Sequence, residues 1–236
     1  YFGGGSAFAE RVAVPRDATV SLPEGLDEAL AASLGVAGLA AWLALEWRAK
    51  LAPSEHVLVL GASGAVGQIA VQAARLLKAG RVVAAGRNAA ALERGRELGA
   101  DATVALSDDG EAFAHSLREA VGGDGYDVIV DPLWGDPAVA ALDAIKPYGR
   151  LVQLGESAGA EATLTSDRIR NTPLAILGHT NFAVPQDVRA AALEAIFEHA
   201  AAGRLTIDYE LLPLERIGEA WERQASSPNR KLLLQP

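Results

Sequence analysis

A glycine-rich segment in the first third of the chain has the residue types and the spacing of an anion-binding turn. It directly follows the apolar run His56–Leu60 and comprises Gly61, Ala62, Ser63, Gly64, Ala65, Val66 and Gly67. Glycines here let the chain turn sharply, keep Cβ atoms away from the backbone amides, and let a helix pack closely on a strand. The N-terminus of that helix attracts a negatively charged group. The spacing therefore predicts a strand, a turn and a helix that bind the pyrophosphate of a dinucleotide.

Two details of the turn narrow its chemistry. Ser63 stands where a second glycine is common, and its hydroxyl could donate to a phosphate oxygen. No lysine follows Gly67, which argues against a nucleoside-triphosphate loop. The run Ala-Ser-Gly-Ala also differs from the Gly-x-Ser-x-Gly of hydrolase nucleophiles. The alternative to a binding site is a tight strand–helix turn without a ligand.

The second predicted strand ends at Gly86, Arg87 and Asn88, where NAD-binding units carry an Asp or Glu on the adenosine ribose. A carboxylate there would repel a 2′-phosphate, whereas the Arg87 guanidinium can bind one through paired hydrogen bonds. Gly86 leaves room for it. We therefore predict NADP(H) as the cofactor; the alternative is that Arg87 only solvates the start of the next helix. The missing acid also argues against a methyltransferase, which stays a minor alternative.

Short apolar, β-branched runs alternate with segments of helical period from residue 56 onward, which predicts parallel strands joined by crossover helices. The predicted strands are His56–Leu60, Arg81–Ala85, Ala102–Ala105, Tyr126–Asp131, Arg150–Leu154 and Leu174–Gly178, and helices begin near Ala65, Ala89, Asp109, Pro137 and Gln186. This order predicts an α/β fold with a doubly wound parallel Rossmann sheet of about six strands. The long polar connection 155–173 is predicted to be a surface loop.

Composition and charge exclude several classes of protein. Half of the 236 residues are apolar and 22% are charged, which argues against intrinsic disorder. A net charge of −9 argues against nucleic acid as a partner. The chain has no cysteine, hence no disulfide, cysteine nucleophile or thiolate metal site. Residues 1–6 lack the features of a signal peptide, and together these observations lead us to expect a cytoplasmic protein.

The uncharged stretch Ala29–Leu45 is rich in alanine and glycine. We interpret it as buried helix near a domain junction and expect no membrane partner; a short membrane span is the alternative. Residues 7–26 contain short extended pieces with prolines. The segments 205–212 and 231–234 are strand-like, and 214–224 is an amphipathic helix. These two ends are predicted to belong to a second domain.

Several short motifs, in this order and spacing, resemble the medium-chain dehydrogenase/reductase family, and within it the zinc-free quinone oxidoreductase-like branch. They are AERVAVP (9–15), LPEGL (22–26), GLAAW (38–42), the turn 61–67, LGAD (98–101), GDGYD (123–127) and NRKL (229–232). The resemblance implies remnants of a GroES-like β-barrel catalytic domain at both ends. Residues 1–28 would be the tail of that domain, residues 29–205 the Rossmann NADP-binding domain with its junction helices, and residues 206–236 the return to the barrel.

The resemblance also implies further cofactor contacts at the ends of the later strands. Beside the adenosine ribose it places Pro132 and Leu133, beside the nicotinamide ribose Leu154 and Gly155, and at the carboxamide the backbone of Leu177, Gly178 and His179. Asn229 and Lys231 would contribute from the C-terminal segment; a polar turn before a last strand is the alternative for them. A homodimer through the edge strand near 174–178 is expected.

No catalytic residue is assigned. The resemblance implies that the residues that bind the substrate and donate a proton lie largely in the part of the barrel that precedes the point corresponding to Tyr1. Zinc-dependent relatives carry a cysteine ligand where this chain has Val36, so we expect no catalytic metal. Many relatives have a threonine at the position of Ala40 that touches the nicotinamide. His179 could shuttle a proton near neutral pH, or have only a structural role.

These observations predict an NADPH-dependent oxidoreductase that transfers hydride to a small-molecule quinone, enone or carbonyl substrate without zinc. The alternative is a nucleotide-binding module, or a catalytically silent fragment, that binds NADPH without turnover.

Overall fold

The computed structural model describes residues 8–226 and 228–236. Six strands form the main sheet: β1 (His56–Val59), β2 (Arg81–Gly86), β3 (Ala102–Ala105), β4 (Tyr126–Asp131), β5 (Ile145–Gln153) and β6 (Ala175–Gly178). The α-helices are α1 (Glu28–Leu43), α2 (Ala65–Leu76), α3 (Ala89–Glu97), α4 (Gly110–Val121), α5 (Gly135–Ala141), α6 (Ser166–Asn171), α7 (Gln186–Ala201) and α8 (Ile217–Ala225). A separate parallel pair consists of β7 (Tyr209–Pro213) and β8 (Lys231–Gln235).

The main sheet has the strand order β3-β2-β1-β4-β5-β6, and all of its neighbouring strands are parallel. The chain order reverses between β1 and β4, because β1 pairs with β2 on one side and with β4 on the other. An open α/β sheet binds its ligand in the crevice at the carboxyl ends of the strands beside such a reversal. The predicted doubly wound Rossmann sheet is thus confirmed.

Both faces of this sheet are buried. Val57 and Val59 belong to a core that also contains residues of α1, α2 and α7. Leu58 and Leu60 point to the opposite face and pack in a second core with residues of α4 and α5. Because alternate side chains enter two different cores, each central strand must be apolar at every position. This explains the continuous runs that identified the strands in the sequence.

Helix α1 is the central element of the first core. The Asp27 carboxylate caps it by accepting a hydrogen bond from the Leu30 amide at 2.7 Å, and the helix packs against α2 and α7. A π-helical turn, Ala44–Arg48, continues it. The combined segment is long and apolar enough to cross a membrane, and 61% of its most apolar window is buried inside the protein. The predicted buried helix is therefore present.

Four predicted elements differ from the structure. Strand β7 begins at Tyr209 and not at the predicted residue 205. The connection 155–173 contains the short helix α6, where Arg168 donates to the Val139 carbonyl at 3.2 Å. Strand β5 begins at Ile145, five residues before the predicted Arg150, because Ile145 pairs with Tyr126 across an irregular register. Described residues 8–26 contain a 3₁₀ turn, Arg16–Ala18, and no strand. The interpretation of residues 1–7 lies outside the described residues.

Two glutamines of α2 fasten the C-terminal segments to the Rossmann domain. The Gln72 side chain both donates to the Thr206 carbonyl (2.7 Å) and accepts from the Thr206 amide (3.0 Å). One turn earlier, Gln68 Nε2 donates to the carbonyl of Asn229 at 3.0 Å. The sequences before β7 and β8 are therefore held against the helix that follows the glycine-rich turn. The predicted assignment of 206–236 to a barrel domain stays a prediction.

Candidate dinucleotide site and the pocket beside strand β6

The glycine-rich turn is compact because two of its glycines leave no room for a side chain. Gly61 has a φ of +59°, and a Cβ there would lie 3.0 Å from Leu133 Cδ2. A Cβ on Gly67 would overlap the Gly61 carbonyl oxygen and lie 2.5 Å from Ala62 Cα. The Gly64 amide closes the turn by donating to the Gly61 carbonyl at 3.0 Å. These contacts place the first turn of α2 directly against the end of β1.

The start of α2 is suited to an anion. Gly64 is the N-cap residue and has no side chain to occupy the free amides, and Ala65 and Val66 are uncharged. Because the first amides of a helix lack intrahelical partners, they remain available to a pyrophosphate. A Cβ on Gly86 would lie 3.6 Å from Ser63 Oγ. The structure thus brings the end of β2 beside the turn, as the dinucleotide prediction requires.

Arg87 and Asn88 differ in whether their side chains have hydrogen-bond partners among the described residues. Asn88 is the N-cap of α3, and its side-chain oxygen accepts from the Ala91 amide at 3.0 Å, so only its amide group and backbone remain for a cofactor. Arg87 is exposed, and within residues 8–226 and 228–236 it makes no hydrogen bond or ion pair. Its guanidinium is therefore available to a ligand.

A buried carboxylate shapes the end of β4. Asp131 is fully buried, and its Oδ1 accepts from the amides of Leu133 and Trp134, both at 2.9 Å. Burial raises the pKa of Asp131, against the opposing effect of these two amides. Trp134 has a φ of +57° and a ψ of −163°, a region that side-chain-bearing residues rarely occupy. Sequence reasoning missed Trp134, because no local pattern signals this backbone conformation.

The turn after β5 lies against the turn after β4. Leu154 donates its amide to the Asp131 carbonyl at 2.8 Å, and a Cβ on Gly155 would lie 3.0 Å from the Pro132 carbonyl oxygen. Pro132 in turn is 3.2 Å from the Cβ position of Gly61. The turns after β1, β4 and β5 therefore form one continuous edge, which contains four of the residues that the family resemblance placed at the riboses: Pro132, Leu133, Leu154 and Gly155.

At the end of β6, His179 joins that strand to α1. Its Nε2 lies 3.2 Å from Asn181 Oδ1, and Asn181 Nδ2 donates to the Val36 carbonyl at 3.1 Å. Because the Asn181 amide nitrogen is the donor to Val36, its oxygen accepts from His179, and Nε2 carries the proton. Burial is the main cause that lowers the pKa of His179, and the charge of Arg48 lowers it further. The imidazole is therefore neutral near pH 7.

A cavity of about 410 Å³ lies beside this histidine. It is lined by Trp47, Arg48, Gly178, His179, Thr180 and Ala183. Arg48 Nε donates to the Gly178 carbonyl at 2.9 Å, and the Trp47 and His179 ring centroids are 6.3 Å apart. A second cavity of about 270 Å³ lies between the C-terminal halves of α2 and α3 and residues 203–206. That one is remote from the carboxyl ends of the strands, so only the first adjoins the predicted site.

The two predicted residues of the C-terminal segment differ in position. Asn229 reaches the glycine-rich turn through Gln68, whose Nε2 also donates to the Ser63 carbonyl at 3.2 Å. Lys231 begins β8, and its amide donates to the Asp208 carbonyl at 2.8 Å. The described contacts therefore bring Asn229, but not Lys231, to the turn.

The part of the chain that the structure describes contains no group of three or more His, Cys, Asp or Glu side chains that could hold a metal ion. Val36, at the position where zinc-dependent relatives carry a cysteine, is 60% exposed. It lies on α1, next to Asn181.

Together, the sheet topology, the glycine-rich turn and the joined strand ends define a dinucleotide-binding domain of the dehydrogenase class. The profile of the family described as "Zinc-binding dehydrogenase" matches residues 65–198, more than half of the chain. The chain belongs to this family of medium-chain dehydrogenases/reductases, whose members bind a nicotinamide cofactor. The predicted family is therefore confirmed.

Several relatives extend this result. A phenolphthiocerol/phthiocerol polyketide synthase of Mycobacterium tuberculosis is 30% identical over 222 residues, which are 90% of this chain and 10% of that protein. A 2-haloacrylate reductase of a Burkholderia species is 30% identical over 155 residues, 65% of this chain and 46% of that enzyme. The crystal structure of an NAD-dependent alcohol dehydrogenase has a TM-score of 0.87 and 29% identity, and the match covers 98% of this chain and 65% of that one. The chain thus spans less than two thirds of each of these proteins.

Proposed function

We propose that this protein is an NADPH-dependent reductase that transfers hydride to an activated double bond or carbonyl, such as a quinone or an enone, without a catalytic zinc. The observation that carries the proposal is that the Arg87 guanidinium, at the end of β2, has no hydrogen bond or ion pair among the described residues. Arg87 lies beside the glycine-rich turn, and Gly86 leaves space next to Ser63. An arginine at this position suits a 2′-phosphate, whereas an acid suits a free ribose hydroxyl.

The residues present fit a dinucleotide. Side chains at Gly61 or Gly86 would fill space beside the turn, and the free amides at the start of α2 would bind the pyrophosphate. The bound cofactor would supply the hydride. The chain would orient it: Arg87 at the adenosine end, the turns after β4 and β5 along the riboses, and the backbone of Leu177, Gly178 and His179 at the carboxamide.

Two further points support the substrate class and the absence of zinc. The relative described as a 2-haloacrylate reductase suggests reduction of a polarised carbon–carbon double bond. The chain has no cysteine, so the ligand that zinc-dependent relatives carry at the position of Val36 is replaced by an aliphatic side chain. No residue of this chain is proposed as the proton donor.

Cofactor choice can be measured by titrating the intrinsic tryptophan fluorescence with NADPH and, in parallel, with NADH. We expect about a tenfold preference for NADPH, or roughly 1.4 kcal/mol, that disappears in Arg87→Ala. Arg96→Ala, an exposed arginine on the same helix α3, is the matched control and should keep the preference. Equal affinities in the unmodified protein would contradict the role of Arg87. The alternative function predicts NADPH binding without NADPH oxidation when quinones, enones and aldehydes are supplied.

We also propose a homodimer through the edge strand β6. Among the described residues this strand pairs with β5 alone, and unpaired edge groups favour addition of another strand. Light scattering at micromolar concentration should give twice the mass of one chain, and a monomer mass would contradict the proposal.

A further inference from the structure

The pocket beside β6 contains a cation, Arg48, that has no counterion within residues 8–226 and 228–236. Arg48 is half-buried, and its one described hydrogen bond uses Nε, which donates to the Gly178 carbonyl. Within the described residues no Asp or Glu lies within ion-pair distance of Arg48. Its two terminal guanidinium nitrogens are therefore unused. Arg150, by contrast, pairs with Glu55 at 2.6 Å.

A second donor lines the same pocket. The Thr180 oxygen accepts from the Phe182 amide at 3.4 Å, so the proton of this hydroxyl remains free to be donated. His179 is neutral and its Nε2 proton is engaged with Asn181, while its Nδ1 is buried and has no partner among the described residues, so it is not presented to a ligand. The polar atoms available to a ligand thus come from a guanidinium and a hydroxyl, which are both donors.

The remaining walls are flat and apolar. Trp47 is 38% exposed and stands next to the His179 ring, and Ala183 also lines the pocket. A planar anion fits this combination: a carboxylate matches the fork of a guanidinium, and the conjugated carbons attached to it can lie against an indole. The cavity volume of about 410 Å³ is within the range of pockets for small organic ligands.

We propose that this pocket is a carboxylate-binding subsite, in which the terminal nitrogens of Arg48 and the Thr180 hydroxyl bind the acid group of an α,β-unsaturated substrate. The inference rests on the proposed reductase function and specifies its substrate class. Because Gly178 and His179 are also the residues expected at the nicotinamide carboxamide, a substrate held here by its acid group would have its double bond near the hydride donor.

The kinetic test compares a 2-substituted acrylate with its methyl ester, using the protein and NADPH. Arg48→Gln should raise the KM for the acid about tenfold or more, since a charged hydrogen-bonded pair is lost. The KM for the ester should stay within about twofold of the original. Arg48→Lys should restore part of the affinity for the acid. Arg96→Gln, an exposed arginine on α3, is the control and should change neither value.

Equal losses for the acid and the ester would show that Arg48 only supports Gly178, and would overturn the inference. No preference for the acid in the original protein would overturn it as well, while reduction of the ester would leave the proposed reductase function intact.

A binding measurement separates the two proposals if neither compound is reduced. Sodium propanoate should change the tryptophan fluorescence of the original protein saturably. The Trp47→Phe variant measures how much of this change comes from Trp47. Propanamide and inorganic phosphate should not produce this change, and Arg48→Gln should abolish it for propanoate. Saturable propanoate binding without any turnover would support the subsite and contradict the reductase. Absence of propanoate binding would overturn the subsite whatever the activity.

Discussion

The turn after β1 and the end of β6 lie on the same edge of the sheet, but they are built differently. The turn is made of backbone: amides point outward, and Gly61 and Gly67 are required because a Cβ at either position meets neighbouring atoms. The end of β6 is made of side chains from distant parts of the chain. Arg48 and Val36 come from the α1 segment, and they reach Gly178 and Asn181.

The backbone of the turn is suited to recognising any phosphate group, whereas the side chains at the end of β6 are suited to selecting a particular ligand. Backbone amides recognise a phosphate regardless of what it is attached to, and the glycine spacing that exposes them is local in sequence. Side chains such as Arg48 select one ligand by charge and shape, but their positions depend on how α1 crosses the sheet. We therefore expect substitutions in the turn to affect folding and all cofactor binding, and substitutions at β6 to affect selectivity.

The sharpest test of the backbone-built turn is Gly67→Ala. Its Cβ would lie 2.5 Å from Ala62 Cα and would overlap the Gly61 carbonyl, so α2 must move away from β1. We expect a loss of about 3 kcal/mol in the free energy of unfolding, together with loss of NADPH binding. Urea denaturation and the fluorescence titration measure the two effects.

Gly218→Ala is the matched control for that change, since a Cβ there meets no atom of the described structure within 4 Å. Because Gly218 is in helix α8, the substitution should leave stability unchanged or raise it by about 0.5–1 kcal/mol. If Gly67→Ala behaved like this control, the close packing of the turn would be refuted.

Removing the side-chain hydrogen bonds of Gln72 or Gln68 on α2 should lower the free energy of unfolding less than Gly67→Ala does, and by different amounts. Gln72→Leu leaves both the amide and the carbonyl of Thr206 without their partner, which should cost about 2–3 kcal/mol. Gln68→Leu removes donors to the carbonyls of Ser63 and Asn229, but Gln68 Oε1 is buried without a partner already. Its cost should be nearer to about 1 kcal/mol. Urea denaturation of both variants checks the order, and a larger loss for Gln68→Leu would reverse the interpretation.

The smallest expected effect concerns pH at the end of β6. Burial lowers the pKa of His179 below its ordinary value of 6.5, so the unfolded chain binds the proton more readily. Stability should therefore fall as the pH decreases below about 6.5, and His179→Gln should make that decline shallower. The pKa of His199 is also lowered, mainly by burial, so part of the slope should remain. Urea denaturation across this pH range measures it.

His115→Gln, an exposed histidine of α4, is the comparison variant for the loss of a histidine side chain. If the free energy of unfolding depended on pH identically in His179→Gln and in the original protein, protonation of His179 would not destabilise the folded end of β6.

Much of the sheet could be predicted from local pattern. Strands β3 and β4 have the predicted bounds and α2 begins at Ala65 as predicted, because a buried strand, a glycine turn and a helix start are each encoded within a few residues. Helix α6 could not be predicted, since no residue of it is buried and Arg168 fastens it to distant carbonyl and carboxylate groups. The early start of β5 depends likewise on its pairing with Tyr126.

For the site, the sequence predicted the turn, Arg87 and the ends of β4, β5 and β6, and their roles in binding stay predictions. It did not indicate the cap formed by Asp131, the conformation of Trp134, or the pocket at Arg48. Each of these depends on atoms brought together from separate segments, and neither residue spacing nor composition records such contacts.

The sequence by itself thus determined the fold class, the family and the location of the glycine-rich turn, because apolar periodicity and glycine positions act over short stretches of chain. Only the tertiary structure decided which side chains share the edge of the sheet. It buried Asp131, left Arg48 without a counterion among the described residues, and set His179 between Trp47 and Asn181. The physical reason is that desolvation and charge pairing depend on neighbours in space, which the fold alone assembles.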